Sequence, residues 1–181
     1  FIKIGAQNCS EEDRGPFTGE ISASMLKEKS VSHVLIGHSE RRTLFKETND
    51  MIFKKVEAAI RNKLTPIVCI GEKLSEKKAN KTVQVLDNQI NGSLAKIDPH
   101  EQVIVAYEPV WAIGTGLTPD ENEIEKTHLH IKTKLDQHFN ADTPILYGGS
   151  ANAKNCSQII SIDNVGGLLV GGASLKTQDF K

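Results

Sequence analysis

The sequence predicts an α/β fold with a parallel sheet covered by helices, and three observations carry that expectation. Short apolar, β-branched runs alternate with longer segments of helical period. The runs are continuous rather than alternating, as in Val103-Ile104-Val105-Ala106 and Leu168-Leu169-Val170, which suits strands buried on both faces. Six strand candidates begin near Ile2, Ser32, Thr65, Val103, Pro144 and Gly167, a spacing of about 30 residues per βα unit.

Taken in order, the chain opens on Phe1-Ile2-Lys3-Ile4, which reads as a strand and not as a signal peptide. The strand near Ser32 leads into Ser39-Glu40-Arg41-Arg42, a short helix. Met51/Ile52/Val56/Ala59/Ile60, Val83/Leu86/Ile90/Leu94 and Ile124/His128/Ile131/Leu135/Phe139 recur at helical spacing. Thr118 is read as the cap of the last of these helices, with Pro119 in its first turn and Glu121 completing a capping box. Eight units at this spacing would need about 240 residues, the usual size of a (β/α)8 barrel. An open doubly wound sheet accepts six units as well, so the rhythm alone leaves both standing. Neither G-x-G-x-x-G nor a Walker loop follows any strand, which removes the usual nucleotide-binding reasons for the open sheet.

The 181 residues suit a single domain spanning 1–181, with no linker or low-complexity tract. With 22 basic and 23 acidic side chains the net charge is -1, too little to gather nucleic acid or an anionic membrane nonspecifically. The nearly uncharged stretch Val165 to Leu175 is far too short to span a bilayer. Cys9, Cys69 and Cys156 are odd in number and share no metal-ligand spacing, which favours a reducing, cytoplasmic setting.

The polar residues gather at the C-terminal ends of the strands. Gln7-Asn8 follows the first, His38-Ser39-Glu40 the second, Glu72 the third, Glu108 the fourth, Gly148-Gly149-Ser150 the fifth and Gly171-Gly172 the sixth. In a parallel barrel these ends share one face, where active sites lie. Each has a plainer reading. His38 alone would be a structural histidine, yet the helix start after it would disfavour a charged imidazole and lower its pKa. Glu108 ends an apolar run, where a carboxylate without a task is costly. Either Gly-Gly pair alone is a tight turn; two after the last strands match a barrel phosphate site built of backbone N–H groups. The segment after Glu108 has stiff ends, Pro109-Val110-Trp111 and Leu117-Thr118-Pro119, and a middle with Gly114 and Gly116, the pattern of a lid on two hinges.

Tyr107-Glu108-Pro109-Val110-Trp111-Ala112-Ile113-Gly114-Thr115-Gly116 resembles the catalytic-base and lid signature of triosephosphate isomerase. Ile36-Gly37-His38-Ser39-Glu40-Arg41-Arg42, Tyr147-Gly148-Gly149-Ser150 and Leu169-Val170-Gly171-Gly172-Ala173-Ser174-Leu175 resemble its other motifs, in family order. The resemblance implies a TIM (β/α)8 barrel, here about six units corresponding to strands 3 to 8. It also implies an aldose–ketose isomerase (EC 5.3.1.1) of glycolysis and gluconeogenesis. Such an enzyme interconverts dihydroxyacetone phosphate and D-glyceraldehyde 3-phosphate through an enediolate.

By the same resemblance Glu108 is the general base, neutral His38 the electrophile and Glu40 a second acid beside the site. The family is a standing example of such pKa tuning, and these roles come with the resemblance. Gly114, Ser150, Gly171 and Gly172 would give backbone N–H groups to the phosphate, and no cofactor or metal is implied. Cys9 to Gly19 resembles the loop that enters a neighbouring subunit, implying a homodimer. Cys69 resembles a buried cysteine of the family and not a nucleophile.

Two departures stand out. No Asn-x-Lys ends a first strand, where the family binds the phosphate, so the expectation is a chain cut at both ends, inactive and poorly soluble as residues 1–181 alone. Gly166-Gly167 replaces the family's frequent Asp-Gly, with Lys132 at the partner Arg, which puts one ion pair in question. A truncated, non-catalytic phosphate-binding or interaction protein is the alternative. Another phosphate-binding barrel is a third reading, on fold analogy, which the lid signature opposes.

Overall fold

The computed structural model describes residues 2–115, 117–139 and 142–180; Phe1, Gly116 and Lys181 lie outside them. In chain order the elements are β1 (Gly5–Ala6), α1 (Ala23–Glu28), β2 (His33–Ile36), α2 (Ser39–Leu44), α3 (Asn49–Arg61), β3 (Thr65–Ile70), α4 (Leu74–Lys78) and α5 (Thr82–Leu94). There follow β4 (Ile104–Tyr107), a 3-10 turn (Val110–Ala112), α6 (Glu121–Asp136), β5 (Ile145–Tyr147), α7 (Cys156–Ile160), β6 (Gly167–Leu168), a second 3-10 turn (Gly172–Leu175) and α8 (Thr177–Phe180).

The six strands lie in the order β1-β2-β3-β4-β5-β6, each parallel to the next. A doubly wound sheet reverses its strand order at a switch point. Here nothing reverses, so the sheet curls in one direction as part of a barrel. Among the described residues β1 and β6 are its two edges.

The core is what the apolar patterning dictates. Ile52, Val56 and Ala59 of α3, Leu86, Ile90 and Leu94 of α5, and Ile124, Ile131 and Leu135 of α6 are buried against strands whose centres hold Val34, Val68, Val105 and Ile145. Removing such stripes from water is the main force holding helices on the sheet. Thr48 caps α3 by accepting from the Met51 N–H.

The start of α6 differs from expectation. Its cap is Asp120, whose Oδ1 accepts from the Glu123 N–H at 2.8 Å, and not Thr118. Both positions fit a capping box in sequence, and a carboxylate is the stronger acceptor at the positive helix end.

The edges also differ. β1 starts only at Gly5, leaving Ile2 and Ile4 exposed, and Leu168-Leu169-Val170 is half-buried because β6 has a neighbour on one side only. Short helices such as α1, α4 and α7 hold too few residues for periodicity to reveal. Among the described residues no helix is long and apolar enough to cross a membrane.

Backbone pairing continues past the strand ends and fixes the polar residues there. Glu108 N donates to Ile70 O at 2.7 Å, Gly148 N to Tyr107 O at 2.7 Å, and Leu169 N to Tyr147 O at 2.9 Å. Gly71 permits the approach of β3 to β4, since a Cβ there would stand 1.7 Å from the Glu108 carbonyl oxygen.

Candidate active site

The ends of the strands enclose an open cleft of about 680 Å³. His38, Glu40, Glu108, Gly114, Ser150, Gly171 and Gly172 all line it, so the sheet brings together residues up to 134 positions apart (172 minus 38). Gln7 and Asn8 reach it from the end of β1.

Glu108 is buried at 2% exposure, yet its carboxylate has two donors. His38 Nε2 lies 2.8 Å from Oε1, and the Ser39 backbone N–H donates to Oε2 at 3.0 Å. His38 caps α2: its Nδ1 accepts from the Glu40 backbone N–H at 3.3 Å. An N–H aimed at Nδ1 calls for a lone pair there, which leaves the proton of a neutral ring on Nε2, facing Glu108. The Glu40 carboxylate is 73% exposed and 3.9 Å from Nδ1, so Glu40 acts on the ring chiefly through its backbone.

The helix start by itself lowers the His38 pKa, and the structure reverses that direction. The hydrogen bond to Glu108 raises it, aided by the charges of Glu108 and Glu40, and outweighs the lowering effect of burial. A carboxylate 70 positions away in sequence is invisible to a reading of the local helix.

Around this pair the supports are specific. Arg42 donates to Gly37 O, Asn49 Oδ1 and Cys69 O, tying the end of β2 to the end of β3. Glu47, buried after α2, accepts from Arg41 at 2.5 Å and from Lys55 at 2.6 Å. Burial pushes the Glu47 carboxyl up, but the two cations together hold it below the usual range. Lys55 also donates to Asn8 Oδ1 at 2.9 Å, which anchors the end of β1.

Cys69 is fully buried, and burial beside Glu108 holds its thiol far above the usual range, so it is no nucleophile. All three cysteines are free. Lys132 pairs with Asp136 at 2.8 Å and Asp142 at 2.5 Å, replacing the contact that Gly166-Gly167 cannot make. Among the described residues no three His, Cys, Asp or Glu side chains converge as a metal site.

Sequence reasoning missed the Glu72 cluster. Glu72, buried at the end of β3, accepts from the Trp111 indole N–H at 2.8 Å and from the Tyr107 hydroxyl at 3.2 Å. Burial holds the Glu72 carboxyl above its usual pKa, against these donors. The sequence places Glu72 at the end of its strand and holds a lone tryptophan, but nothing in the spacing joins the two. Lys176, a cation lining the cleft, carries no sequence signal of its own.

A family model described as triosephosphate isomerase matches residues 1–181. The chain belongs to the triosephosphate isomerase family. Triosephosphate isomerase of Bartonella henselae is 47% identical over 182 residues, covering 99% of this chain and 72% of its own length. That of Amoebophilus asiaticus is 46% identical over 185 residues, covering 99% and 73%. The crystal structure of the Bartonella henselae triosephosphate isomerase superposes with a TM-score of 0.91 at 43% identity, over 99% of this chain and 74% of that one. The family is one of isomerases that interconvert dihydroxyacetone phosphate and glyceraldehyde 3-phosphate, and the six parallel strands are part of its barrel. A non-catalytic role on the same fold is not favoured.

Proposed function

We propose that Glu108 and His38 carry the proton transfers of triose phosphate isomerisation in this chain. The observation that carries the reading is the 2.8 Å contact between Glu108 Oε1 and His38 Nε2 at the head of the cleft. In the structure base and electrophile satisfy each other. When a triose phosphate enters, its carbonyl oxygen takes the place of Glu108 on the Nε2 proton. The freed carboxylate then takes the proton from the adjacent carbon, yielding the enediolate. With Glu108 withdrawn, burial and the Glu40 N–H both favour a neutral ring, which suits a donor to an enediolate oxygen.

Gly114, Ser150, Gly171 and Gly172 bind the phosphate through backbone N–H groups. Nothing lies within 4 Å of where a Cβ would stand at Gly114, Gly171 or Gly172, so these backbones face open space, which supports this. The segment after Glu108 closes as a lid, excluding water and suppressing loss of phosphate from the intermediate.

The protein works as a homodimer through the loop Cys9 to Gly19. Its base is closed by the Ser10 N–H to Ile21 O bond at 2.8 Å, and Asp13 is tied to Arg61 and Asn62, while Phe17 stands exposed. The free thiols fit a cytoplasmic setting.

The test is Glu108→Asp in the full protein. Withdrawing the carboxylate by one methylene is expected to lower kcat by about 10²-fold, with KM little changed. Steady-state kinetics with both triose phosphates measure it, and an unchanged kcat would remove Glu108 as the base.

A further inference from the structure

Lys77 of α4 lies outside the cleft, yet it touches the stem of the lid. Its Nζ stands 3.5 Å from the centroid of the Trp111 ring and 2.5 Å from Glu123 Oε1 of α6. At its edge the Trp111 indole N–H donates to Glu72 at the end of β3. The same turn is held by Val110 N donating to Glu72 O at 3.1 Å and by the Ser150 hydroxyl on Ala112 O. Helix α4 and the end of β3 thus meet at one indole, with α6 behind Lys77. Beyond Ala112 the Ile113 N–H donates to Val110 O at 3.4 Å and the Thr115 hydroxyl to Trp111 O at 3.3 Å, while Gly114 between them is exposed, has φ +67, and nothing lies within 4 Å of where its Cβ would be.

We propose that Lys77 is a positioning residue for isomerisation, whose ammonium, steered by Glu123, presses on the Trp111 face and fixes the stem of the lid. The inference rests on the lid reading above. A cation over an indole face is attracted by the ring quadrupole, more strongly when partly removed from water, as Lys77 is at 28% exposure. A stem held at one ring face and at the N–H edge lets the lid close as one body. A stem held at the edge alone adds closed-like conformations that do not exclude water, and the competent fraction falls. It also loosens Glu108, three residues upstream.

A surface ion pair that merely stabilises the fold would not move the tryptophan, and this separates the two accounts. The experiment compares Lys77→Met, Lys77→Arg and Glu123→Gln in the full protein. The readouts are kcat, KM and the fluorescence of Trp111, the only tryptophan of this sequence. Lys77→Met is expected to lower kcat about threefold to tenfold with KM within about twofold, and to lower Trp111 anisotropy. Lys77→Arg restores both, and Glu123→Gln gives a smaller change in the same direction. Equal anisotropy and turnover in Lys77→Met and the parent overturn the proposal. So does an equal kcat loss from Lys77→Met in a Trp111→Leu background. Glu108→Gln serves as the control: full turnover there sinks the base-and-lid reading itself, whereas an inactive Glu108→Gln with a neutral Lys77→Met sinks this inference alone.

Discussion

His38 sits between two influences of opposite sign. The Glu108 contact favours the imidazolium, while burial and the Glu40 N–H on Nδ1 favour the neutral ring. In the structure the first prevails, so the His38 midpoint is expected above 6.5 by NMR titration. The pair then stabilises the fold fully below pH 6.5, the ordinary value of the unfolded chain, and that contribution is lost as pH rises through the raised midpoint. Glu108→Gln removes both Glu108 contributions and leaves burial opposed only by the Glu40 charge, so the midpoint should fall below that of the parent. A midpoint unmoved by Glu108→Gln would show that the carboxylate does not set the ring's charge.

At the scale of elements, α6 buries a histidine that has no part in the chemistry. His128 lies edge-on to Tyr107 and near Tyr147, with Nδ1 3.2 Å from Asn164 O and Nε2 without a partner among the described residues. Burial pushes its pKa down to about 4. The lowered value means that stability from the neutral ring is present above pH 6.5 and is lost as pH falls toward 4. Across that window the loss amounts to about 3 kcal/mol. In His128→Phe the decline of Tm between pH 6.5 and 4 should be shallower than in the parent.

The contact between β3 and β4 is a second element-scale device, because it carries Glu108. In Gly71→Ala the new methyl would overlap the Glu108 carbonyl, which cannot yield without moving the base. The expected loss is about 3 kcal/mol or more. It should show in urea unfolding, together with a fall in kcat.

For the whole molecule, the loop carrying Phe17 is a firm projection with an apolar tip, and Leu44 and Phe45 are exposed apolar residues on the α2 side of the cleft. A two-fold dimer that covers these surfaces would order the cleft wall from outside, since Phe45 and Arg41 both line it. Phe17→Asp is expected to shift the protein from dimer to monomer in sedimentation equilibrium and to lower activity with it. A dimer that persists unchanged in Phe17→Asp would place the interface elsewhere.

The order of strands and helices was legible because burial on one stripe or both faces writes itself into local spacing. Val103 to Ala106 and the Ile124/His128/Ile131/Leu135 stripe are where the pattern puts them. So are the residues of the cleft, because a parallel sheet must bring the C-terminal strand ends to one side. The cap at Asp120 lies two residues from the expected one, since both positions carry the same signal. What only tertiary structure decided were contacts between distant segments. The sheet's unreversed order, the Glu108 carboxylate on the His38 ring, and Lys77 with Glu72 around Trp111 all join residues dozens of positions apart. Local sequence determines which side chains are apolar and which turn; the sign of a pKa shift depends on charges that only folding brings within a few ångströms.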